Sequence, residues 1–170
     1  VQLMNRNIYD IDPAHDLPYL FDIVVLKDVI QHIPDQQKFM AHFRHFLSPG
    51  GHVFFGFPPW QMPFGGHQQI CHSKTLSRLP YFHLLPMRVY THILKWFGEP
   101  QSIVRELQEI KQTGISIEQF EHYCQQQGYM IENKTFYLIN PIYQYKFGLQ
   151  VRIQWSWVAS VPWLRNFLTT

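Results

Sequence analysis

The sequence is poor in the residues that would staple it covalently, carry it through a bilayer or draw it to nucleic acid. It has two cysteines, Cys71 and Cys124, far apart and in no paired pattern. That excludes a disulfide framework and makes a reducing, cytoplasmic compartment the default. No uncharged apolar run approaches the roughly 20 residues needed to span a bilayer. Charge is scarce as well: 15% of residues are charged, the formal net charge is +2 and the pI is near 8.6. So weak a basic balance gives no ground for a nucleic-acid partner. There is no internal repeat and no low-complexity stretch.

What the sequence does have is rings and apolar side chains. Its 170 residues are 46% hydrophobic and 16% aromatic, enough for one domain with a sizeable core. Ten histidines add donors and a reserve of positive charge below neutral pH. Residues 1–4 read as a short strand, followed by a polar turn at 5–10. The run Phe-Asp-Ile-Val-Val-Leu at 21–26 fits a strand buried on both faces of a parallel sheet. Pro34-Asp35 starts a helix over 36–47, where Phe39, Met40, Phe43, Phe46 and Leu47 recur at three and four. Ser48-Pro49-Gly50-Gly51 ends that helix, and 53–57 is a second buried strand. Strand, helix, glycine turn and strand in this order read as a right-handed βαβ crossover.

Beyond Trp60 the character changes. Residues 61–100 are crowded with rings, prolines and histidines and read as an insertion, with a helix at 87–97 carrying Val89, Tyr90, Ile93, Leu94 and Phe97 on one face. A further helix is expected over 117–127, stopped by Gly128, and then two late strands at 129–131 and 135–139. The chain divides into a body, 1–150, with its insertion spanning about 60–115, and an aromatic tail, 151–170.

The segment Phe21-Asp22-Ile23-Val24-Val25-Leu26-Lys27-Asp28-Val29-Ile30-Gln31-His32-Ile33 resembles the central signature of class I, S-adenosylmethionine-dependent methyltransferases of the type-11-like kind. There an "FD-apolar-apolar" strand leads into a "D-V-I-E-H-I" turn. Leu47-Ser48-Pro49-Gly50-Gly51-His52-Val53 is similar to that family's "L-x-P-G-G" turn before its fifth strand, and the one-helix separation also matches. Each piece occurs singly in other doubly wound proteins; the joint pattern carries the resemblance. It implies an α/β fold with a Rossmann-like methyltransferase sheet whose last strand is reversed, and a helical insertion after the fifth family strand. The family's Gly-rich "G-x-G" loop and its ribose-binding acid find no match here. An N-terminally truncated domain lacking the first two βα units, roughly 60 residues at about 30 each, is therefore expected.

The resemblance also implies site residues. Adenosine lies at the carboxyl ends of the strands in such folds. Asn7 stands in for the family's acid that accepts from the adenine amino group, and Ile8 supplies a backbone N–H to the ring. A shifted alignment gives the accepting role to Asp10. Lys27 meets the cofactor through its backbone, and Asp28 either joins it or holds the turn. S-adenosylmethionine is the cofactor this implies, with S-adenosylhomocysteine as product. His32 is a candidate general base for a hydroxyl acceptor, or else a turn filler. Gly65-Gly66 bend the backbone so that His67 projects into a pocket, or the segment is a plain surface loop. Trp60, Phe64 and Tyr81 wall a site for an uncharged acceptor, or belong to the core. Nothing completes a tetrahedral set around His42 and His45 or around Cys71 and His72, so no metal is expected. The expected activity is methyl transfer to a small apolar, aromatic or polyprenyl-like acceptor in the full-length protein, the piece alone being inactive. The alternative is a non-catalytic binding or partner module. The stretch 81–97 and the Trp-rich tail with Arg152 and Arg165 are amphipathic enough for peripheral membrane contact; otherwise they are packed cover or a homodimer face.

Overall fold

The structure, a computed structural model, describes residues 3–170. Val1 and Gln2, half of the strand expected at 1–4, lie outside the described residues, and Leu3 and Met4 take no regular structure. The described residues gather around two hydrophobic cores. The first belongs to the crossover. After a short helix, α1 (Pro13–Asp16), strand β1 (Phe21–Lys27) pairs in parallel with β2 (Leu47–Gly56), and α2 (Gln36–Phe43) makes the connection. Asp35 caps α2 by accepting a hydrogen bond from the Lys38 N–H at 2.9 Å, relieving one of the helix's free donors. Phe39, Met40, Phe43 and Phe46 are buried, as the spacing demands.

Strand β2 begins earlier than expected. Its pairing with β1 jumps from Phe21 opposite Leu47 to Ile23 opposite His52, so Ser48-Pro49-Gly50-Gly51 is a bulge inside the ladder rather than a turn ahead of it. Gly50 sits at φ 79°, and a Cβ on Gly51 would lie 2.8 Å from the Phe21 carbonyl oxygen. The expectation of a sheet buried on both faces is corrected. Val24, Leu26, Val53 and Phe55 pack inward, whereas Ile23, Val25 and Phe54 are 71%, 63% and 58% exposed. The reason is cover. Alternate residues of the two strands point to opposite faces, and the core built with α2 and the later helix α5 (Ile117–Gln126) takes only one of them. Phe120 of α5 meets Phe55 and Phe57 with ring centroids 4.9 Å away in each case.

The second core is the insertion's own. Helices α3 (Met87–Trp96) and α4 (Gln101–Thr113) enclose Leu76, Phe82, Tyr90, Leu94, Val104 and Leu107. Of the face expected on α3, Val89 and Phe97 are 46% and 42% exposed, leaving Tyr90 and Leu94 as its buried part. Helix α4 is an addition to the expected elements; Val104, Leu107 and Ile110 recur every third residue on its inner face. The cores are joined where the Trp60 N–H donates to the Ile115 carbonyl at 2.8 Å. No helix among the described residues is long and apolar enough to cross a membrane.

The late strands are corrected too. Residues 129–131 form no strand; the Tyr129 N–H closes α5 on the Cys124 carbonyl, and its hydroxyl donates to the Met40 carbonyl at 2.9 Å. Strand β3 (Tyr137–Ile139) pairs antiparallel with β4 (Arg152–Ile153) instead, with α6 (Pro141–Phe147) between them. This is a sheet separate from β1 and β2, not a reversed final strand added to them. Two further short helices, α7 (Ser156–Ala159) and α8 (Leu164–Phe167), follow. Residues 151–170 are tied to the body through buried Arg165, which donates to Glu118 and to Glu121 of α5 at 2.7 Å each. Asn166 donates to Glu118 and accepts from the Ile117 N–H, so the network also caps the start of α5.

Burial works to raise the Glu118 and Glu121 carboxyls. Hydrogen bonds outweigh it, from the Trp163 N–H, Asn166 and Arg165 on Glu118 and from Lys134 and Arg165 on Glu121. Both carboxyls are held below the ordinary value of 4.5. A lowered carboxyl contributes stability that is present above its unfolded value and lost as the pH falls through the folded one. Arg165→Ala removes the cation that the two carboxylates share, while Glu121 keeps Lys134 and Glu118 keeps Asn166 and the Trp163 N–H, and is expected to cost about 1–3 kcal/mol in urea unfolding. It should also flatten the loss of stability on acidification below the ordinary glutamate value.

Candidate functional site

The parallel ladder extends one bond past its last paired residues, where the Asp28 N–H donates to the Gly56 carbonyl at 2.7 Å. Asp28 then takes a left-handed φ of 56°, turning the chain sharply off the carboxyl end of β1. A single 3₁₀ turn follows at Ile30–His32. Ile30 is fully buried and anchors it, and Gln36 donates to the Ile30 carbonyl at 3.1 Å and to the Thr113 carbonyl at 2.6 Å. His32 is thereby presented outward beside the end of α4.

The second wall comes from the insertion. Gln68 is fully buried and its amide donates to the Pro63 and Leu79 carbonyls, closing the loop around Gly65 and Gly66. Gly66 lies against His83, where an added Cβ would sit 2.1 Å from the His83 Cβ. His83 is itself fixed, its Nε2 donating to the Trp60 carbonyl at 2.7 Å. Held this way, His67 adopts φ 53° and sets its ring edge-on to that of His32, centroids 5.1 Å apart. The two histidines open onto a cleft of about 490 Å³ whose other lining includes Pro34, Glu106, Glu109 and Thr113. Burial pulls the His67 imidazole below its ordinary 6.5, and His32 adds to that; Asp28 and Glu106 pull the other way without reversing it. The arrangement offers neutral imidazole at neutral pH beside carboxylates able to favour its protonated form.

The residues expected at the cofactor are elsewhere. The Asn7 side-chain oxygen is engaged in its own turn, accepting from the Tyr9 N–H at 3.1 Å. The Asp10 carboxylate is exposed and accepts no hydrogen bond among the described residues, and the Ile8 N–H has no partner among them. Asp10 lines an open cleft of about 740 Å³ with Tyr9, Leu17, Tyr19, His42 and His45. Lys27 and Asp28 pair loosely at 3.6 Å, both exposed. Neither cleft contains both Asp10 and the histidine pair. An adenosine-bearing group would meet an unengaged donor at Ile8 and an unengaged acceptor at Asp10, of which only Asp10 lines the cleft.

Trp60, Phe64 and Tyr81 line neither cleft. Trp60 is packed edge-on to His83 at 4.5 Å, with the Lys111 ammonium 5.1 Å above its ring. Phe64 and Tyr81 are each 37% exposed, and the Tyr81 hydroxyl reaches towards the Phe167 carbonyl at 3.5 Å. His42 is bonded to the Ile8 carbonyl at 2.9 Å, and the backbone at His72 and Ser73 donates to the buried Glu99 carboxylate. Burial pushes the Cys71 thiol up to about 11. Of the four non-glycine residues at positive φ among the described residues, namely Asp28, His67, Tyr81 and Trp163, the first three were singled out by the sequence, and such strain concentrates at functional positions. Glu106 and Glu109, spaced to share one face of α4, are site residues that the sequence reading missed; recognising α4 as a helix would have been the signal.

Comparison with known proteins bears on residues 3–55, which include His32 but not His67. Residues 3–55 match the family model described as "Methyltransferase domain". The chain is similar to the ubiquinone biosynthesis O-methyltransferase of Vibrio atlanticus, 36% identical over 44 residues, a region that covers 26% of this chain. That region spans 19% of the relative's own length. No solved structure matches. The stretch 3–55 is thus similar to methyltransferase-domain sequence, and the family match does not extend to the rest of the chain.

An NMR titration of the ring protons is expected to give His67 a midpoint below 6.5. His32→Asn should move that midpoint upwards but not restore it fully, because burial is the larger cause.

Proposed function

We propose that the full-length protein transfers the methyl group of S-adenosylmethionine to a hydroxyl oxygen of a small apolar or aromatic acceptor held in the cleft between His32 and His67. The observation that carries this reading is the histidine pair itself. Two imidazoles, set edge-on by separate strained turns, meet at the carboxyl end of β1, one of them held neutral by burial. Oxygen as the acceptor atom is supported by the O-methyltransferase in the relative's name.

When bound, the cofactor supplies a sulfonium methyl ready for in-line displacement, and the protein's work is to align the acceptor and remove its proton. His67, neutral at working pH, takes the hydroxyl proton. Asp28 and Glu106 favour the imidazolium that results, and His32, edge-on beside it, orients the acceptor. Ile8 and Asp10 hold the adenine edge, with Asn7 as the alternative acceptor, and Lys27 contributes through its backbone. Phe64 and Tyr81 supply exposed apolar surface, with Trp60 beneath as packing. The compartment is the reducing cytosol, in keeping with the free cysteines.

In the full-length protein, His67→Asn is expected to lower kcat about 10²-fold while leaving S-adenosylhomocysteine affinity unchanged, as loss of a general base should. Unchanged turnover in both His67→Asn and His32→Asn would sink the base assignment, and absence of any methyl transfer would leave a non-catalytic binding module. Separately, calorimetric titration with S-adenosylhomocysteine should show Asp10→Ala weakening binding about tenfold, the size of a lost charge-assisted hydrogen bond. Asn7→Ala should weaken it less; the reverse order would return the adenine contact to Asn7.

A further inference from the structure

The most unusual surface of this chain lies far along it. From residue 133 to residue 170 there are four cations, Lys134, Lys146, Arg152 and Arg165, and no aspartate or glutamate. Lys134 is spent on Glu121 and Arg165 on Glu118 and Glu121. Arg165 therefore does not face outward as the sequence suggested; Lys146 and Arg152 are the exposed cations of this segment without an ion pair among the described residues.

Along the same segment, rings point into solvent. Gln154 is buried and its amide donates to the Arg165 carbonyl and the Thr169 hydroxyl, so its neighbours Ile153 and Trp155 on either side are turned outward, 65% and 56% exposed. Trp155 stacks on Trp157, ring centroids 6.3 Å apart and 12° from parallel. Trp157, Trp163 and Phe147 are 62%, 63% and 66% exposed. Trp163 keeps this position at φ 69°, its N–H donating to Glu118 at 3.0 Å. Exposed apolar surface on this scale marks a contact site.

We propose that this segment docks on an anionic bilayer surface, the Trp rings entering the headgroup layer and Lys146 and Arg152 meeting lipid phosphates. Tryptophan combines an apolar ring with a polar N–H and suits that boundary. Two free cations are too few for a nucleic-acid backbone, whose grip comes from many neutralised phosphates. A second copy is disfavoured by charge. A two-fold interface would set the patch against itself, cations included, with no carboxylate in the segment to answer them. The inference stands apart from the methyl-transfer reading and does not depend on it.

The test is co-sedimentation of the full-length protein with vesicles of phosphatidylcholine, with and without phosphatidylglycerol, alongside tryptophan emission. Binding to the anionic vesicles with a blue shift is expected. The paired changes Trp155→Ser with Trp157→Ser, and Lys146→Glu with Arg152→Glu, should each lower the partition coefficient by at least about tenfold. All four positions are exposed, and the charge pair leaves the rings in place, so loss in both cannot be a folding defect shared through the core. No binding to anionic vesicles, or binding by either variant equal to that of the unchanged protein, would overturn the proposal. So would a concentration-dependent dimer, or retention of RNA, that disappears with the Trp pair.

Discussion

Parallel pairing of β1 with β2 fixes the position of the groups built on the crossover. Parallel strands cannot be joined by a tight turn, so the chain must cross over, and α2 is the crossover it makes. The helix then buries Phe39, Met40 and Phe43 against the sheet's inner face, and α5 completes the same core. Because the ladder runs on to the Asp28 N–H, the exit from β1 is held as firmly as the strand. The 3₁₀ turn that presents His32 inherits its position from that last bond and from Ile30 beneath it.

The insertion contributes by a different route. It owns a core that holds its helices without help from the sheet, and it touches the crossover at a few polar points: Gln36 on the Thr113 carbonyl and the Trp60 N–H on the Ile115 carbonyl. Rigidity near these joints comes with a cost. The Gln31 amide, the His83 Nδ1 and the Tyr90 hydroxyl are buried without hydrogen-bond partners among the described residues, each costing about 1–3 kcal/mol relative to a satisfied group. Lys111, bonded to the His83 carbonyl at 2.6 Å and lying over the Trp60 and Tyr90 rings, has its ammonium pulled down by burial. The polar interior of the insertion is thus arranged around the residues that carry the His67 loop.

What was legible in the sequence was local. The β1 run and the α2 spacing are each decided by neighbours a few residues away, and each is found close to where the pattern put it, whereas Pro-Gly-Gly interrupts β2 instead of ending the helix. What failed depended on distant cover or distant partners. A continuous apolar run reads the same whether one face of a strand is packed or both, and only the absence of cover over Ile23, Val25 and Phe54 distinguishes them. Thr135 to Ile139 does contain a strand, but its partner is at 152–153, and no short-range rule links those segments. The site was legible one residue at a time. His32 and His67 stood out through their turns, yet their edge-on contact is made by two cores meeting. Asn7 and Asp10 are equivalent as acceptors in the sequence, which does not show that the Tyr9 N–H engages the former.

One contact binds the history of the sequence as well as its shape. Gly66 and the His83 side chain occupy adjoining space with no room for another carbon between them. A lineage that keeps histidine at 83 must keep glycine at 66, and one that drifts at 66 must first shrink or move residue 83. The two positions, seventeen apart in the chain, are expected to change together or not at all, so that the His67 loop evolves in concert with the buried ring behind it.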